Sequence, residues 1–167
     1  IKNIPSLNVL AKVQNKKLMK LWEGLGYYSR ARNLKKTAKV VLNDFNGKLP
    51  DKFEDLISLP GIGNYTASGI LAIVFNKPYI PMDGNVERVL KRYLYLKKNN
   101  EIQKDNLIKK KSILGISSRS KDYAQALMEL GALICKPTNP LCHQCPISKK
   151  CKYFKNKDFD LTKKVKT

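Results

Sequence analysis

Four cysteines that lie close together are the residues whose type and spacing point most directly to chemistry. They follow the pattern C-x6-C-x2-C-x5-C and are Cys135, Cys142, Cys145 and Cys151. Four thiolates can bind one tetrahedral zinc ion or a [4Fe–4S] cluster. A zinc ribbon usually has two C-x-x-C pairs separated by a longer insertion, whereas this chain has one such pair flanked by single cysteines. The spacing therefore predicts a metal site and favours iron–sulfur over zinc.

A glycine-containing turn, L-P-G-I-G at residues 59–63, is the second chemical feature. Pro60 fixes its own φ and disfavours a helical conformation at the preceding residue, so a helix should end there. Gly61 and Gly63 permit positive φ and the close approach of another backbone or a phosphate. The helix predicted over about 65–75 is apolar nearly all round and should be central, and its start can bind an anion. The pattern predicts a phosphate-binding hairpin, with an ordinary corner between two helices as the alternative.

The charge of the chain indicates the class of partner. The formal net charge is +20, from 33 Lys and Arg against 13 Asp and Glu. A polyanion is therefore the expected partner, because each neutralised phosphate releases counterions. The alternative is a compositional bias, since Lys, Asn and Ile are all abundant. No apolar run reaches the length of a membrane span, so no membrane partner is expected.

The elements that must position these residues are predicted to be helices throughout, because no stretch alternates apolar and polar residues as a strand does. Ser6 is expected to cap the first helix, and Glu87 and Lys91 have the four-residue spacing of a helical ion pair. We expect a mainly helical bundle over 1–120, with the helix-hairpin-helix at about 55–75 and one weak helix within 97–120. The last helix and the cysteine loop should occupy 121–154, and a basic tail 155–167.

Several segments together resemble the adenine DNA glycosylases, which remove adenine mispaired with 8-oxoguanine. They are L-W-E-G-L-G-Y-Y-S-R-A-R-N-L (Leu21–Leu34), L-P-G-I-G-N-Y-T-A (Leu59–Ala67), M-D-G-N-V-E-R-V (Met82–Val89) and A-L-M-E-L-G-A-L-I-C (Ala126–Cys135). The likeness extends over most of the chain between about Ile4 and Phe154. It implies the helix-hairpin-helix DNA glycosylase fold of the endonuclease III superfamily, with a [4Fe–4S] cluster in the cysteine loop.

The resemblance implies that Asp83 is the catalytic aspartate, which stabilises the sugar cation formed as the glycosidic bond breaks. A carboxylate about 4 Å from such a cation stabilises it by about 4 kcal/mol at an effective dielectric of 20. This corresponds to a rate factor on the order of a thousand. The alternative role of Asp83 is a helix N-cap, and the two roles are compatible. Asn85 is implied to orient the site, or else to be an ordinary polar residue of the first helical turn.

Tyr65 occupies the position at which the related endonuclease III enzymes carry a lysine nucleophile. A tyrosine cannot form the Schiff base that such a lysine forms. Tyr65 therefore favours hydrolysis by water without strand cleavage, and its alternative role is packing in the core.

The remaining implied contacts are with DNA. Tyr27 resembles the aromatic wedge that enters the base stack when a nucleotide is flipped out. Gln125 matches a position that contacts the flipped adenine, and Arg30 is expected to touch the DNA. The hairpin would bind the phosphate through Gly61, Ile62 and Gly63, with a monovalent cation as a further candidate ligand. The alternative role of Tyr27 is packing as a half-buried residue. The alternative for Gln125 is an ordinary exposed glutamine on a helix.

The resulting hypothesis is a monofunctional base-excision-repair enzyme that hydrolyses the glycosidic bond of adenine opposite 8-oxoguanine or guanine in double-stranded DNA. It is expected to act as a monomer in the bacterial cytoplasm, at the nucleoid. The general-acid glutamate of the family and its 8-oxoguanine-reading domain have no match here, so we expect this 167-residue piece to be inactive or weak by itself. The alternatives are an endonuclease III-like glycosylase and lyase, or a non-catalytic DNA-binding module, with a zinc-stabilised helical domain more remote.

Overall fold

The computed structural model describes residues 3–95 and 118–156, and every regular element in these two ranges is a helix. The all-α prediction is confirmed. Within the same ranges, no helix combines the length and the apolar composition needed to cross a membrane. The weak helix expected within 97–120 lies outside the described residues up to residue 117. The expected basic tail lies outside them from residue 157 onward. The elements are α1 (Leu7–Lys12), α2 (Asn15–Leu21), α3 (Ser29–Asp44), α4 (Phe53–Ser58), α5 (Asn64–Ile73), α6 (Gly84–Leu94), α7 (Ser120–Glu129), a π-helical turn (Leu130–Ile134), two 3-10 turns (Cys142–Gln144 and Ser148–Lys150) and α8 (Lys152–Lys155).

The chain divides into two compact units, one formed by Ile1–Ala67 and the other by Ser68–Thr167. The division falls inside α5. The first unit therefore contains the hairpin, and the second contains Asp83 and all four cysteines.

The first unit is built on α3, against which α1 packs. Its core joins Val13, Leu18 and Ala31, with the partly buried ring of Trp22 against them. The Oγ of Ser6 accepts a hydrogen bond from the Val9 N–H at 3.3 Å, so the predicted cap of α1 is confirmed. These contacts fix the start of α3, where Arg30 lies.

Helix α5 is less completely buried than its composition predicts. Leu71 and Ala72 are buried, in agreement with the prediction, but the side chain of Val74 is 63% exposed. The helix ends at Ile73, so Val74 follows its last turn and does not continue the buried face.

The second unit has its core between α6 and α7. Val86, Val89 and Leu90 of α6 pack with Leu127 of α7 and with Ile80, which precedes α6. The amphipathic pattern of α6 therefore decides which of its faces is buried.

The ion pair expected on α6 is present on its surface. Lys91 Nζ and Glu87 Oε1 lie 2.7 Å apart, with both side chains partly exposed. A pair in this setting adds no more than about 0.5 kcal/mol to stability. It supports the helix but does not position the site.

The chain leaves α7 through a π-helical turn that brings Gly131 against the start of α6. A Cβ atom placed on Gly131 would lie 2.7 Å from the Cβ of Asn85 and 2.9 Å from its backbone C and O. Only glycine permits this approach, because backbone atoms cannot move aside as the end of a flexible side chain can.

Replacement of Gly131 by alanine should destabilise the fold. The added methyl group would force α6 and the π-helical turn apart, which we expect to cost about 1–3 kcal/mol, as overpacking in a core does. The midpoint of urea unfolding, followed by circular dichroism, measures the change.

Gly69→Ala is the matched control for this substitution. A Cβ on Gly69 would lie 3.8 Å from Pro81, an ordinary contact, and Gly69 is in the interior of α5. Alanine there should be neutral or stabilise by about 0.5–1 kcal/mol. Equal unfolding midpoints for the two variants would show that the approach at Gly131 is not tight.

Candidate nucleic-acid interface and cysteine site

The turn from Leu59 to Gly63 joins α4 and α5 as a tight hairpin. Its Ile62 N–H donates to the Leu59 carbonyl at 3.1 Å, which closes the turn. Gly61 adopts a φ of +79°, as the predicted hairpin requires, whereas Gly63 is not in the left-handed region. The hairpin therefore delivers the chain directly to the start of α5, where N–H groups point along the helix axis.

Helix α3 holds the hairpin in place. Thr37 Oγ1 donates to the Pro60 carbonyl at 2.8 Å, and a Cβ on Gly61 would lie 2.6 Å from Asn33. Gly61 is thus required both for its φ and for the close approach to α3. At Gly63 an added Cβ meets no described atom within 4 Å. Neither Asn33 nor Thr37 was identified from the sequence.

Tyr27 lies in the loop between α2 and α3 and, among the large hydrophobic residues that the structure describes, is the most exposed, at 82%. Its φ is +47°, a conformation that is uncommon for a residue with a side chain. Holding a non-glycine residue there costs on the order of 1 kcal/mol. The loop must therefore receive stabilisation from its neighbours.

That stabilisation comes from two side chains on either side of the loop. Trp22 Nε1 donates to the Gly26 carbonyl at 3.0 Å, and Arg30 Nη2 donates to the Leu25 carbonyl at 3.2 Å. The Arg30 guanidinium also lies over the rings of Trp22 and Tyr27, 5.5 Å and 5.8 Å from their centroids. Each cation–π contact of an exposed side chain contributes about 0.5–1 kcal/mol, enough to offset the strain at Tyr27.

Two further predicted site residues lie on helix surfaces. Tyr65, the second residue of α5, is 47% exposed, so the alternative of a core tyrosine is wrong. Gln125 is exposed on α7. Both side chains are accessible to a ligand.

Asp83 caps α6, as one of its two predicted roles requires. Its Oδ1 accepts a hydrogen bond from the Val86 N–H at 2.7 Å, and the carboxylate is partly buried. The helix start therefore fixes both the position of the carboxylate and the direction of its remaining oxygen.

Asn85, two residues further on, is held by Arg88, a residue that sequence analysis did not assign a role. Arg88 Nη2 donates to Asn85 Oδ1 at 2.7 Å and to the Gly131 carbonyl at 2.6 Å. Its Nε donates to the Cys135 carbonyl at 2.8 Å, and Nη1 to the Gly84 carbonyl at 3.3 Å. One guanidinium thus ties the first turn of α6 to the π-helical turn and to the first cysteine.

Arg92, one helical turn after Arg88, holds the beginning of the cysteine loop. Its Nη1 donates to the Lys136 carbonyl at 2.7 Å and approaches Cys135 Sγ at 3.4 Å. Nη2 donates to the Pro137 carbonyl at 2.9 Å, and the guanidinium lies over the ring of Tyr153. The loop is therefore shaped by hydrogen bonds from α6.

All four cysteines line one cavity in the second unit. Residues of α6, the π-helical turn and α8 complete its wall, and the cysteines are Cys135, Cys142, Cys145 and Cys151. None of them forms a disulfide. Within 3–95 and 118–156, no three His, Cys, Asp or Glu side chains are grouped closely enough to bind a single metal ion. The four cysteines thus lie around one space.

The surroundings of two of the cysteines, Cys142 and Cys145, disfavour their charged form. Burial raises the pKa of the Cys142 thiol, and the neighbouring Cys135, Cys151 and Cys145 raise it further, against an opposing effect of Arg92. Burial likewise raises the pKa of Cys145. Thiolates brought together in this way are stabilised by a cation between them, so the donor set fits a metal-containing group.

The composition of the chain gives an indication that Arg88 and Arg92, to which sequence analysis assigned no role, have a structural one. Of the 33 Lys and Arg residues, only five are arginine. A guanidinium carries five donors in a planar fork, whereas a lysine ammonium is a point charge on a flexible stem. Arg88 and Arg92 are two of these five, and each uses several directed donors.

Comparison with known proteins agrees with the resemblance drawn from the sequence. Residues 1–112 match the family described as HhH-GPD superfamily base excision DNA repair protein. The adenine DNA glycosylase of Buchnera aphidicola subsp. Baizongia pistaciae is 43% identical over 163 residues, which cover 96% of this chain and 46% of that protein. The chain thus spans just under half the length of this relative.

Solved structures agree in fold. A thermostable thymine-DNA glycosylase superposes with a TM-score of 0.79 at 29% identity, over 93% of this chain and 72% of that one. A trapped covalent intermediate of endonuclease III with DNA superposes with a TM-score of 0.73 at 25% identity, over the same shares of the two chains. The predicted helix-hairpin-helix glycosylase fold is confirmed, and the chain belongs to the HhH-GPD superfamily of base excision DNA repair proteins.

Proposed function

We propose that the protein containing this chain is a monofunctional DNA glycosylase that removes adenine mispaired with 8-oxoguanine or guanine. The observation that carries this proposal is the position of Asp83, a partly buried carboxylate fixed at the start of α6. The identity of the base rests on the sequence likeness to adenine DNA glycosylases. We propose double-stranded DNA as the partner, a monomer as the acting form, and the bacterial cytoplasm as the location.

Asp83 would act on the sugar. When the bond between C1′ and the base breaks, the bonding electrons leave with adenine, which takes up a proton, and positive charge develops at C1′. The Asp83 carboxylate stabilises that charge until water adds to C1′ and loses its proton. Such preorganised electrostatic stabilisation is effective because no reorganisation is needed at the moment of reaction.

Asn85 would orient groups at the same helix start. Its Oδ1 is already bonded to Arg88, so its amide N–H₂ is turned in a defined direction. The bond thereby fixes which face of the amide can act as a donor. We propose that this donor helps to place the sugar or water near Asp83.

DNA would be held without reading its sequence. The hairpin would offer the N–H groups of Gly61 and Gly63 to a backbone phosphate, as helix starts do, with Ile62 between them donating its own N–H to the Leu59 carbonyl. A monovalent cation is a second candidate ligand there, since the Leu59 and Pro60 carbonyls each accept one hydrogen bond and keep a lone pair. Exposed Tyr27 would enter the base stack, and Gln125 would pair with the extruded adenine through its amide.

The cysteine site would hold a [4Fe–4S] cluster. A zinc ribbon usually has two C-x-x-C pairs, whereas this chain has one such pair flanked by single cysteines. Four cysteines that line one cavity and follow the spacing C-x6-C-x2-C-x5-C support the cluster. Cys135, Cys142, Cys145 and Cys151 would be the ligands, and the bound cluster would cross-link the loop.

Replacement of Asp83 by asparagine should abolish excision while leaving the fold and DNA affinity intact. Asparagine is an equally good N-cap, but it lacks the charge, so we expect a loss on the order of a thousandfold in the single-turnover rate. The full-length protein and a duplex with adenine opposite 8-oxoguanine provide the assay.

Glu87→Gln is the control, because it removes one negative charge from the same helix. Glu87 pairs with Lys91 on the surface, so its loss should change the rate little. Similar losses in both variants would mean that general charge matters and that Asp83 has no special role. Undiminished excision by Asp83→Asn would disprove the assigned chemistry.

Protein purified without oxygen should be brown, with a broad visible absorption band and about four irons per chain. Cys145→Ser should lose most of this iron because it removes a ligand. His143→Gln is the control and should retain it, since the His143 ring packs edge-on against Phe154. A colourless protein with one zinc would contradict the cluster assignment.

Endonuclease III-like lyase chemistry is the second candidate, because that enzyme shares the fold and forms a covalent intermediate with DNA. Tyr65 cannot form a Schiff base, so borohydride added to the protein and a duplex with an abasic site should trap no covalent adduct. Denaturing gel electrophoresis detects the adduct, with endonuclease III as the positive control. An adduct of comparable yield would favour the lyase.

A further inference from the structure

The side chain of Arg30 has a place in the structure that its expected contact with DNA does not explain. Although it is exposed on the first turn of α3, its guanidinium turns back toward the preceding loop. It donates to the Leu25 carbonyl and lies over the rings of both Trp22 and Tyr27. The charged guanidinium of Arg30 therefore interacts with the loop that carries Tyr27.

The loop has two consecutive carbonyls bound by side chains just before Tyr27. The carbonyl of Leu25 is bound by Arg30 and that of Gly26 by the Trp22 indole. On the other side, the Arg30 N–H donates to the Tyr27 carbonyl at 2.9 Å. Tyr27 is thus held on both sides in the left-handed region, with its ring directed into solvent.

We propose that Arg30 is a positioning residue for Tyr27 and does not serve as a phosphate contact. It keeps the loop in the one conformation that presents the Tyr27 ring, so that the ring can enter the base stack without a prior rearrangement. This inference rests on the proposed function, in which Tyr27 enters DNA. Preorganisation of this kind lowers the entropic cost of insertion.

The chemistry of the contact makes lysine a poor substitute. A guanidinium can stack on two rings with its planar face while its edge donates to a carbonyl, whereas a lysine ammonium cannot do both. A phosphate contact, in contrast, depends mainly on charge, and lysine would preserve it. Arg30→Lys therefore separates the two roles.

The experiment uses the full-length protein in an Asp83→Asn background, so that the DNA stays intact, and a duplex with 2-aminopurine opposite 8-oxoguanine. The rise in 2-aminopurine fluorescence at saturating protein reports extrusion of the base from the stack. Arg30→Lys should reduce this rise several-fold, to about the level of Tyr27→Ala. The double variant should show no further loss, because residues that act through one another are not additive.

Arg32→Lys is the matched control, since it makes the same chemical change at an exposed position two residues further along α3. It should give the rise of the parent protein. Trp22→Phe provides a second route to the loop, because it keeps the ring but removes the bond to Gly26. It should lower the rise as well. Thermal unfolding midpoints close to that of the parent show that each variant is folded.

The salt dependence of DNA affinity completes the test. Loss of a phosphate contact in Arg30→Gln would reduce the log–log slope by about 0.9, and an unchanged slope is expected. A full fluorescence rise for Arg30→Lys, a reduced slope for Arg30→Gln, or an additive double variant would overturn the proposal. An unchanged fluorescence rise for Tyr27→Ala would also overturn the positioning role of Arg30. In that case, excision of adenine by the protein with native Asp83 would still support the proposed glycosylase function. Absence of that excision identifies failure of the proposed function itself.

Discussion

The close approach of the π-helical turn to the first turn of α6 is the constraint on which the second unit depends. Gly131 lies against the backbone of Asn85, and Arg88 bonds to carbonyls on both sides of the contact. Hydrogen bonds from a charged donor contribute about 1.5–3 kcal/mol each. Because Arg88 also bonds to the Cys135 carbonyl, the helix start that carries the proposed catalytic carboxylate and the segment that enters the cysteine loop are parts of one connected structure.

The same physical solution appears in both units. Irregular segments carry backbone carbonyls that helices and strands do not satisfy, and such groups need partners. Arg30 satisfies one in the loop before α3, and Arg88 and Arg92 satisfy several at the cysteine loop. Each guanidinium projects from a helix onto the adjacent loop and combines hydrogen bonds with contacts that lysine could not reproduce. The many lysines contribute positive charge, whereas these arginines hold the neighbouring loops in place through hydrogen bonds to their carbonyls.

Much of the candidate site could be predicted from short stretches of sequence. The turn that contains Gly61 and the helix caps formed by Ser6 and Asp83 each depend on a hydrogen bond between residues three positions apart in the sequence. Such short-range contacts can be read from the sequence. The burial of α5 was predicted less well, since composition does not show that the helix ends before Val74. The positions of the Arg88 and Arg92 side chains were not predicted because their partners lie far away along the chain, as in the separation of 47 positions from Arg88 to Cys135.

The sequence by itself determined the helical class and the residues that could do chemistry, because periodicity, capping and motif spacing are local properties. The likeness of several of its segments to a known family indicated the family. Only the tertiary structure decided where these residues point. It turned the Arg30 guanidinium toward Tyr27, brought Gly131 against Asn85, and arranged the four sulfurs around one cavity. The physical reason is that such contacts form when buried faces of separate helices pack together, and the side chains that meet there depend on the whole packed unit.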